Sequence, residues 1–198
     1  MDRWRGGSTR RWAIGWLGGA AMLVLACGDV GAPDPADPAH WETIDSGSGR
    51  FSVAMPRPPT ASVEALETAA GTVELHALRS DTDTEAYSIS YVDFPAAPRV
   101  EIDSGTLLEG AREGLVTSVA GELLREVRIE LDGHAGLEVE YAVGDAGRDT
   151  GRDAGLFGRG RLLLVEGRLY QLVVVTRDLA AARGRIDHYL DSFVLAPR

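Results

Sequence analysis

The chain reads as an α+β protein, an antiparallel β-sheet flanked by helices. Three observations predict this. Apolar and polar residues alternate over Leu123–Val143, as in half-buried strands. Two other stretches, opening near Asp103 and Asp178, repeat apolar residues at three- and four-residue steps, the helical period. The patterns follow the order strands, helix, strands, helix, which favours antiparallel pairing over the strict βαβ alternation of a parallel sheet.

The first residues read as a targeting segment. Arg3, Arg5, Arg10 and Arg11 precede an apolar run, Ala13 to Ala26, that is short and Gly-interrupted for a membrane span. The run ends in Leu-Val-Leu-Ala-Cys, and Cys27 is the only cysteine of the chain. An unpaired thiol in an exported protein calls for a reason. The arrangement resembles a bacterial lipobox, which implies cleavage before Cys27 and lipidation of its sulfur. An ordinary signal peptide cut near Ala26, or a buried core cysteine, are the alternatives. Thr9-Arg10-Arg11-Trp12 also hints at twin-arginine export. Two acyl chains would hold the protein stably on a bilayer, at about 0.8 kcal/mol per buried methylene. Residues 28–40 then read as a tether. Pro33, Pro35 and Pro38 favour extended backbone, and Asp29, Asp34 and Asp37 keep it solvated. The expected organisation is signal peptide 1–26, lipidated Cys and tether 27–40, and a folded domain 41–198.

Within that domain, Arg50–Met55 predicts a strand with Phe51, Val53 and Met55 on one face, stopped by Pro56. Val63–Thr68 and Thr72–Leu78 read as strands joined through Ala69-Ala70-Gly71, and Glu85–Phe94 as another, ended by Pro95 and Pro98. The first helix places Leu108, Ala111, Leu115 and Val119 in one stripe, with Gly121 as the C-terminal cap. Gly110 and Gly114 read as close-packing positions against the sheet. Next come the alternating strands on either side of Asp132-Gly133. Keeping Val127 opposite Leu137 favours a three-residue loop, Leu131 to Gly133, with Gly133 left-handed in a bulge. Gly144–Gly155 is a polar loop. Arg161–Glu166 and Leu169–Thr176 are Leu- and Val-rich, as expected of strands buried on both faces. The second helix carries Leu179, Ala182, Ile186, Tyr189 and Phe193, and Val194-Leu195 returns to extended chain.

Several of these segments, in this order, resemble a known family. They are Phe-x-Val-x-Met-Pro (Phe51–Pro56), Tyr-x-Ile-x-Tyr (Tyr87–Tyr91), Leu-Asp-Gly-His-Ala-Gly-Leu-Glu (Leu131–Glu138), Arg-Leu-Tyr-Gln-Leu-Val-Val-Val (Arg168–Val175) and Leu-Asp-Ser-Phe (Leu190–Phe193). Together they resemble bacterial envelope proteins with a PsbP-like domain, the fold of the photosystem II extrinsic protein and of a nuclear-transport Ran-binding protein. The resemblance spans Trp41 to Leu195. It implies an α/β/α sandwich and an accessory or assembly role without enzyme activity. Fold alone does not transfer function.

The chemistry in the sequence is sparse. A formal net charge of −10, with every basic residue an Arg, argues against nucleic acid as a partner. Ile-Asp-Ser-Gly occurs twice, at Ile44–Gly47 and Ile102–Gly105. Asp45 and Asp103 therefore raise an aspartic-protease dyad. Only 58 positions separate them (103 − 45), too few for two β-lobes. Asp103 or Ser104 suits a helix N-cap, Thr106 and Glu109 have capping-box spacing, and Asp45–Gly49 is turn composition. His40, His76, His134 and His188 have no paired metal-ligand spacing. No G-x-S-x-G elbow is present, and Asp145, Asp149 and Asp153 lack calcium-loop spacing. No catalytic residue, metal or cofactor is therefore expected, and a hydrolase is the remote alternative. The first expectation is a lipid-anchored, non-enzymatic protein-binding module of the bacterial cell envelope, facing the periplasm or the exterior. Its membrane partner is met through Cys27, and its protein partner is an envelope component. The second is a small-ligand binder with an apolar pocket between sheet and helix, lined by Tyr87, Tyr91 and Tyr141.

Overall fold

A computed structural model describes residues 34, 36–68, 71–94, 103–144 and 155–196, all within one compact unit, Pro33–Arg198. Cys27 with its preceding segment, and the interior of the polar Gly144–Gly155 loop, lie outside the described residues. The described part of the tether is not uniformly extended. Pro38–His40 form a 3-10 turn capped by the Asp37 carboxylate, and Trp41 then packs edge-on against Tyr87 and His188.

Among the described residues ten strands and two helices follow, and they build the predicted α+β sandwich. The strands are β1 (Glu42–Ser46), β2 (Phe51–Met55), β3 (Thr60–Thr68), β4 (Gly71–Asp81) and β5 (Glu85–Asp93), then β6 (Glu122–Leu131), β7 (His134–Val143), β8 (Leu156–Val165), β9 (Arg168–Thr176) and β10 (Val194–Leu195). The helices are α1 (Ser104–Ser118) and α2 (Leu179–Asp191). Seven strands form the main antiparallel sheet in the order β3-β4-β5-β9-β8-β7-β6. A smaller sheet, β1-β2-β10, lies with α2 over one face of it, and their shared core gathers Phe51, Val53, Met55, Tyr87, Tyr170 and Ile186. Helix α1 covers part of the other face through Leu108, Ala111, Leu115, Val116 and Val119, over Leu137, Val139, Tyr141 and Leu162.

The small sheet was the least legible element. Asp45-Ser46, read as turn, ends strand β1, which pairs in full register with β2. The turn proper is Gly47–Arg50, with Arg50 left-handed at φ 56°. Strand β8 also begins at Leu156, earlier than the Leu-rich run suggests, because Gly158 and Gly160 interrupt its apolar pattern.

The β6–β7 register corrects the sequence reading. Asp132 and Gly133 form a two-residue turn with both φ positive, 51° and 79°, and Leu131 pairs with His134. Val127 therefore lies opposite Glu138, not Leu137. The compensating irregularity sits at the other end of β6, where the register shifts between Leu123 and Arg125. One extra residue reverses side-chain parity. Leu123 consequently joins the α1-side core, while Ile129 and Leu131 join the α2-side core. The apolar positions of β6, which look like one face in the sequence, are divided between two.

Helix α1 opens on the expected cap but departs from expectation in its capping box, at its C-terminus and in its middle. The Asp103 carboxylate caps it, accepting from the Thr106 N–H, but Glu109 turns away to Arg128 at 3.0 Å, so no capping box forms at Thr106. At the C-terminus Ala120, not Gly121, takes the left-handed position, with φ 47°. The N–H of Ala120 donates to the Thr117 carbonyl and that of Gly121 to Val116, a Schellman arrangement. Gly121 is small for a different reason: a Cβ there would collide with the Ala142 carbonyl. Gly110 and Gly114 are not packing positions, since a Cβ at either would meet only open space. Gly110→Ala and Gly114→Ala are each expected to stabilise the protein by about 1 kcal/mol, the helix-propensity difference. Urea melts of the two single variants test this, and an unchanged midpoint would refute it.

Candidate functional site

The sheet separates the residues singled out in the sequence. Tyr87 and Tyr91 lie in the core beneath α2 and the small sheet, whereas Tyr141 lies beneath α1 on the opposite face. The three cannot line one pocket. Alternation on β5 and β7 places each tyrosine inward, but whether two strands turn the same face inward depends on register. All three are less than a tenth exposed, and burial pushes the Tyr141 phenol up to about 12. Burial, followed by the nearby Glu85 charge, raises Tyr87 further still, so neither phenol ionises near neutral pH.

Asp45 is exposed on β1, on the α2 side of the sheet. Asp103 caps α1 on the other side, which rules out a shared proton between them. Among the described residues, no cluster of His, Cys, Asp and Glu is arranged to hold a metal ion.

A more organised site surrounds the Gly47–Arg50 turn. Arg168, at the start of β9, fastens that turn to the main sheet. Its Nε and Nη2 donate to the two carboxylate oxygens of Asp93 at 2.7 and 2.6 Å. Its Nη1 donates to the carbonyls of Ser48 and Gly49 at 2.8 and 2.9 Å. The Tyr170 hydroxyl donates to Gly49, and the Tyr91 hydroxyl donates to Ser48 Oγ. The guanidinium lies 4.6 Å from the centre of the Tyr91 ring, and His76 stacks on that ring at 4.7 Å and an interplanar angle of 4°. His76 and Arg168 come from β4 and β9, the two neighbours of β5, so they flank Tyr91. Nothing in the spacing of Arg168, Asp93, His76 and Tyr91 announces this set; it exists only once β4, β5 and β9 are side by side.

Arg168→Ala is expected to destabilise the protein by about 2–4 kcal/mol, because the turn carbonyls lose a charged donor while packed against the core. It should also change the acid limb. The hydrogen bond from Arg168 holds the Asp93 carboxyl below its ordinary value of 3.8, outweighing partial burial. A lowered folded value means stability that is present above the ordinary pKa and lost as pH falls through the folded one. Wild type should therefore lose stability below about pH 4 more steeply than Arg168→Ala does. Chemical denaturation from pH 6 to pH 2.5 measures both, and parallel curves would refute the coupling.

The fastened turn forms one wall of a groove. Ser46, Ser48 and Phe51 lie on one side, Ala61, Ser62 and Val63 of β3 on the other, with His76, Leu78, Ile89 and Tyr91 as the floor. It encloses a cavity of about 110 Å³. Two larger clefts are more polar at the rim. One, of about 250 Å³, lies among the hairpin turns with Arg50, Asp132, His134 and Glu166 around Tyr170 and Leu195. The other, of about 320 Å³, lies by the start of α1 beside Arg128 and Gly136.

The groove is bordered by an edge strand, and the two edges of the main sheet differ. On β6, Glu122, Arg125, Glu126, Arg128 and Glu130 supply five charges, and the register shift at Leu124 bends the strand. Charge and bulges are the usual guards against unwanted strand pairing. Strand β3 pairs with β4 without interruption, contains no proline and carries only Glu64 and Glu67. Val63 and Leu66 on it are 57% and 45% exposed.

No family profile matches the chain, and no curated protein matches it in sequence. Solved structures do match. The solution structure of cyanobacterial PsbP (CyanoP) from Synechocystis sp. PCC 6803 aligns with 87% of this chain and 98% of its own, with a TM-score of 0.53 and 15% identity. The fold is PsbP-like. A crystal structure of PA94, a Pseudomonas aeruginosa protein of unknown function, aligns with 80% of this chain and 99% of its own, with a TM-score of 0.47 and 14% identity. At such identities a PsbP-like fold is a statement about architecture, and the function of this chain has to be argued from its own surface.

Proposed function

We propose that this PsbP-like protein is a non-enzymatic accessory module of the bacterial envelope, anchored by lipid on Cys27, that works by binding another protein. The observation that carries the reading is the unguarded β3 edge, with Val63 exposed beside the groove and Leu66 exposed on the opposite face. Exposed apolar residues around an open edge favour recognition of a macromolecule. A filled core supports the same choice over a small-ligand binder: Tyr87 and Tyr141, which an apolar pocket would need at its wall, are at most 1% exposed. Glu85, Glu138 and Asp93, whose carboxyl pKa values are lowered, are each paired with an arginine. Such pairing makes them structural ions and not general acids. Among the described residues no helix is long and apolar enough to cross a membrane, and the anchor reading rests on the sequence alone, on Cys27 at the end of the apolar run.

The anchor and the binding role have separate tests. Mass spectrometry of the mature protein is expected to find a diacylglyceryl adduct on Cys27, and Cys27→Ala should release the protein from membranes. Membrane association of that variant, with no acyl mass on wild type, would overturn the anchor. Site-specific photo-crosslinking over the domain surface in intact envelopes is expected to give discrete protein adducts. Their absence at every position would overturn the binding role.

A further inference from the structure

We propose that β3 receives an extended segment of the partner as an eighth strand of the main sheet, and that this segment alternates apolar and basic residues. The inference rests on the protein-binding reading above and names the surface and the chemistry of the partner. An edge strand leaves the N–H and C=O groups of every second residue unpaired, and another strand satisfies them with correct geometry. Side chains of β3 then divide by parity. Ala61 and Val63 face the groove, where Val63 lies opposite His76 in the register. An apolar residue of the incoming strand on this side would lie against Val63 and reach the cavity of about 110 Å³, a space of side-chain size. Glu64 and Leu66 lie on the opposite side, where Leu66 is paired with the buried Val73.

Charge selects the alternate positions. Glu64 is the acidic group of the face turned away from the groove, while Glu67 and Glu74 lie on the groove side, beyond Val63 toward the Thr68 end of β3. Arg79, the basic residue of β3 and β4, is held by Asp81 at 3.0 Å. With a formal net charge of −10, the whole chain also attracts cationic segments and repels its own copies. A segment that sets an apolar residue against Val63 and Lys or Arg against Glu64 is complementary to both of these central positions. A second copy of β3 would add its own glutamates to this acidic edge instead.

The test uses the full chain in detergent and the peptide acetyl-Val-Lys-Val-Lys-Val-Lys-amide. Wild type is expected to bind it. Val63→Lys and Glu64→Lys should each weaken binding about tenfold, as for a residue near the centre of an interface. Both residues lie on the exposed edge, so the melting temperature should hold. Leu124→Lys on the guarded β6 edge should leave binding unchanged. N-methylation of alternate amides adds a signature that simple ionic attraction does not produce: one of the two alternate sets should abolish binding, and the other should preserve it. Equal binding by Val63→Lys, or equal effects of the two methylation patterns, would overturn the inference. So would a concentration-dependent dimer dispersed by Val63→Lys, which would make a second copy the occupant. In the envelope crosslinking above, adducts at other positions but not at Val63 would remove this surface while leaving the binding role standing. Adducts nowhere would remove both.

Discussion

Glu138→Ala is expected to lower the unfolding free energy by about 3–5 kcal/mol, the usual cost of removing one partner from a buried ion pair. Glu138 projects from β7 toward α2. Its Oε1 accepts from Arg161 Nη2 at 2.6 Å, and its Oε2 lies 3.4 Å from Arg159 Nη2. All three side chains are less than a fifth exposed. Arg159 continues to Asp187, and Arg161 to Asp191 and the Leu190 carbonyl, so the set joins the sheet to α2. Loss of the shared carboxylate leaves two guanidinium groups facing each other in a poorly hydrated space. A control separates this from simple loss of packing. Removing charge from both partners, as in Glu138→Leu with Arg161→Leu, should cost less than Glu138→Ala alone.

The same glutamate sets part of the acid response. Burial by itself raises its pKa, but the hydrogen bond and charge of Arg161, with Arg159 behind it, bring it below the ordinary value of 4.5. The stabilisation is therefore present above about pH 4.5 and disappears as pH falls through the lower folded value. Glu85 behaves alike. Hydrogen bonds from Arg185, Thr84 and Thr82 outweigh its burial and lower its pKa. Denaturation of Glu138→Ala over pH 3 to 7 should show a flatter acid limb than wild type. Identical slopes would show that Glu138 titrates alike in the folded and unfolded chains.

Gly158→Ala is expected to cost about 3 kcal/mol, at the upper end for overpacking a core. Gly158 of β8 lies directly opposite Tyr141 of β7, and the tyrosine ring covers it so closely that an added Cβ would collide with the ring and its hydroxyl. The ring cannot swing out freely, because Tyr141 is 1% exposed within the α1-side core. The contact predicts strong non-additivity. Gly158→Ala should add little once Tyr141→Ala has removed the ring, since the two residues share one space. A full additional loss in the double variant, read from denaturation midpoints, would place the cost of Gly158→Ala elsewhere in β8.

The two predictions share a cause that also governs how far the sequence could be read. At β7 both faces of the main sheet are covered, so alternation along that strand does not separate inside from outside. On β7, Leu137, Val139 and Tyr141 face α1, which the apolar pattern declares. Glu138 and Glu140 read as a solvent face but turn toward α2, where arginines neutralise them. On β6 the reading failed for the complementary reason. An edge strand with Val127 left 37% exposed is free to place an apolar residue opposite Glu138, so matching apolar positions was the wrong constraint on register. The turn chemistry of Asp132-Gly133 was the better guide, because both residues adopt the positive φ that a two-residue hairpin requires.

What local chemistry controls was readable from the chain alone. Helical and strand periods, the caps at Asp103 and Asp178, the turn glycines and the order of elements determine an α+β antiparallel fold, since each depends on residues a few positions apart. The lone Cys27 after an apolar run is a feature of the same kind. Strand order, register and the identity of the edges were decided only in three dimensions. They arise from residues as far apart as Ser48 and Arg168, or Glu138 and Arg161, which the sheet brings to hydrogen-bonding distance. Whether Val63 belongs to a sheet interior or to an open edge is likewise a property of its neighbours. Its own segment is a short alternating strand in either setting, and only its place as the terminal strand of the main sheet among the described residues makes it an edge.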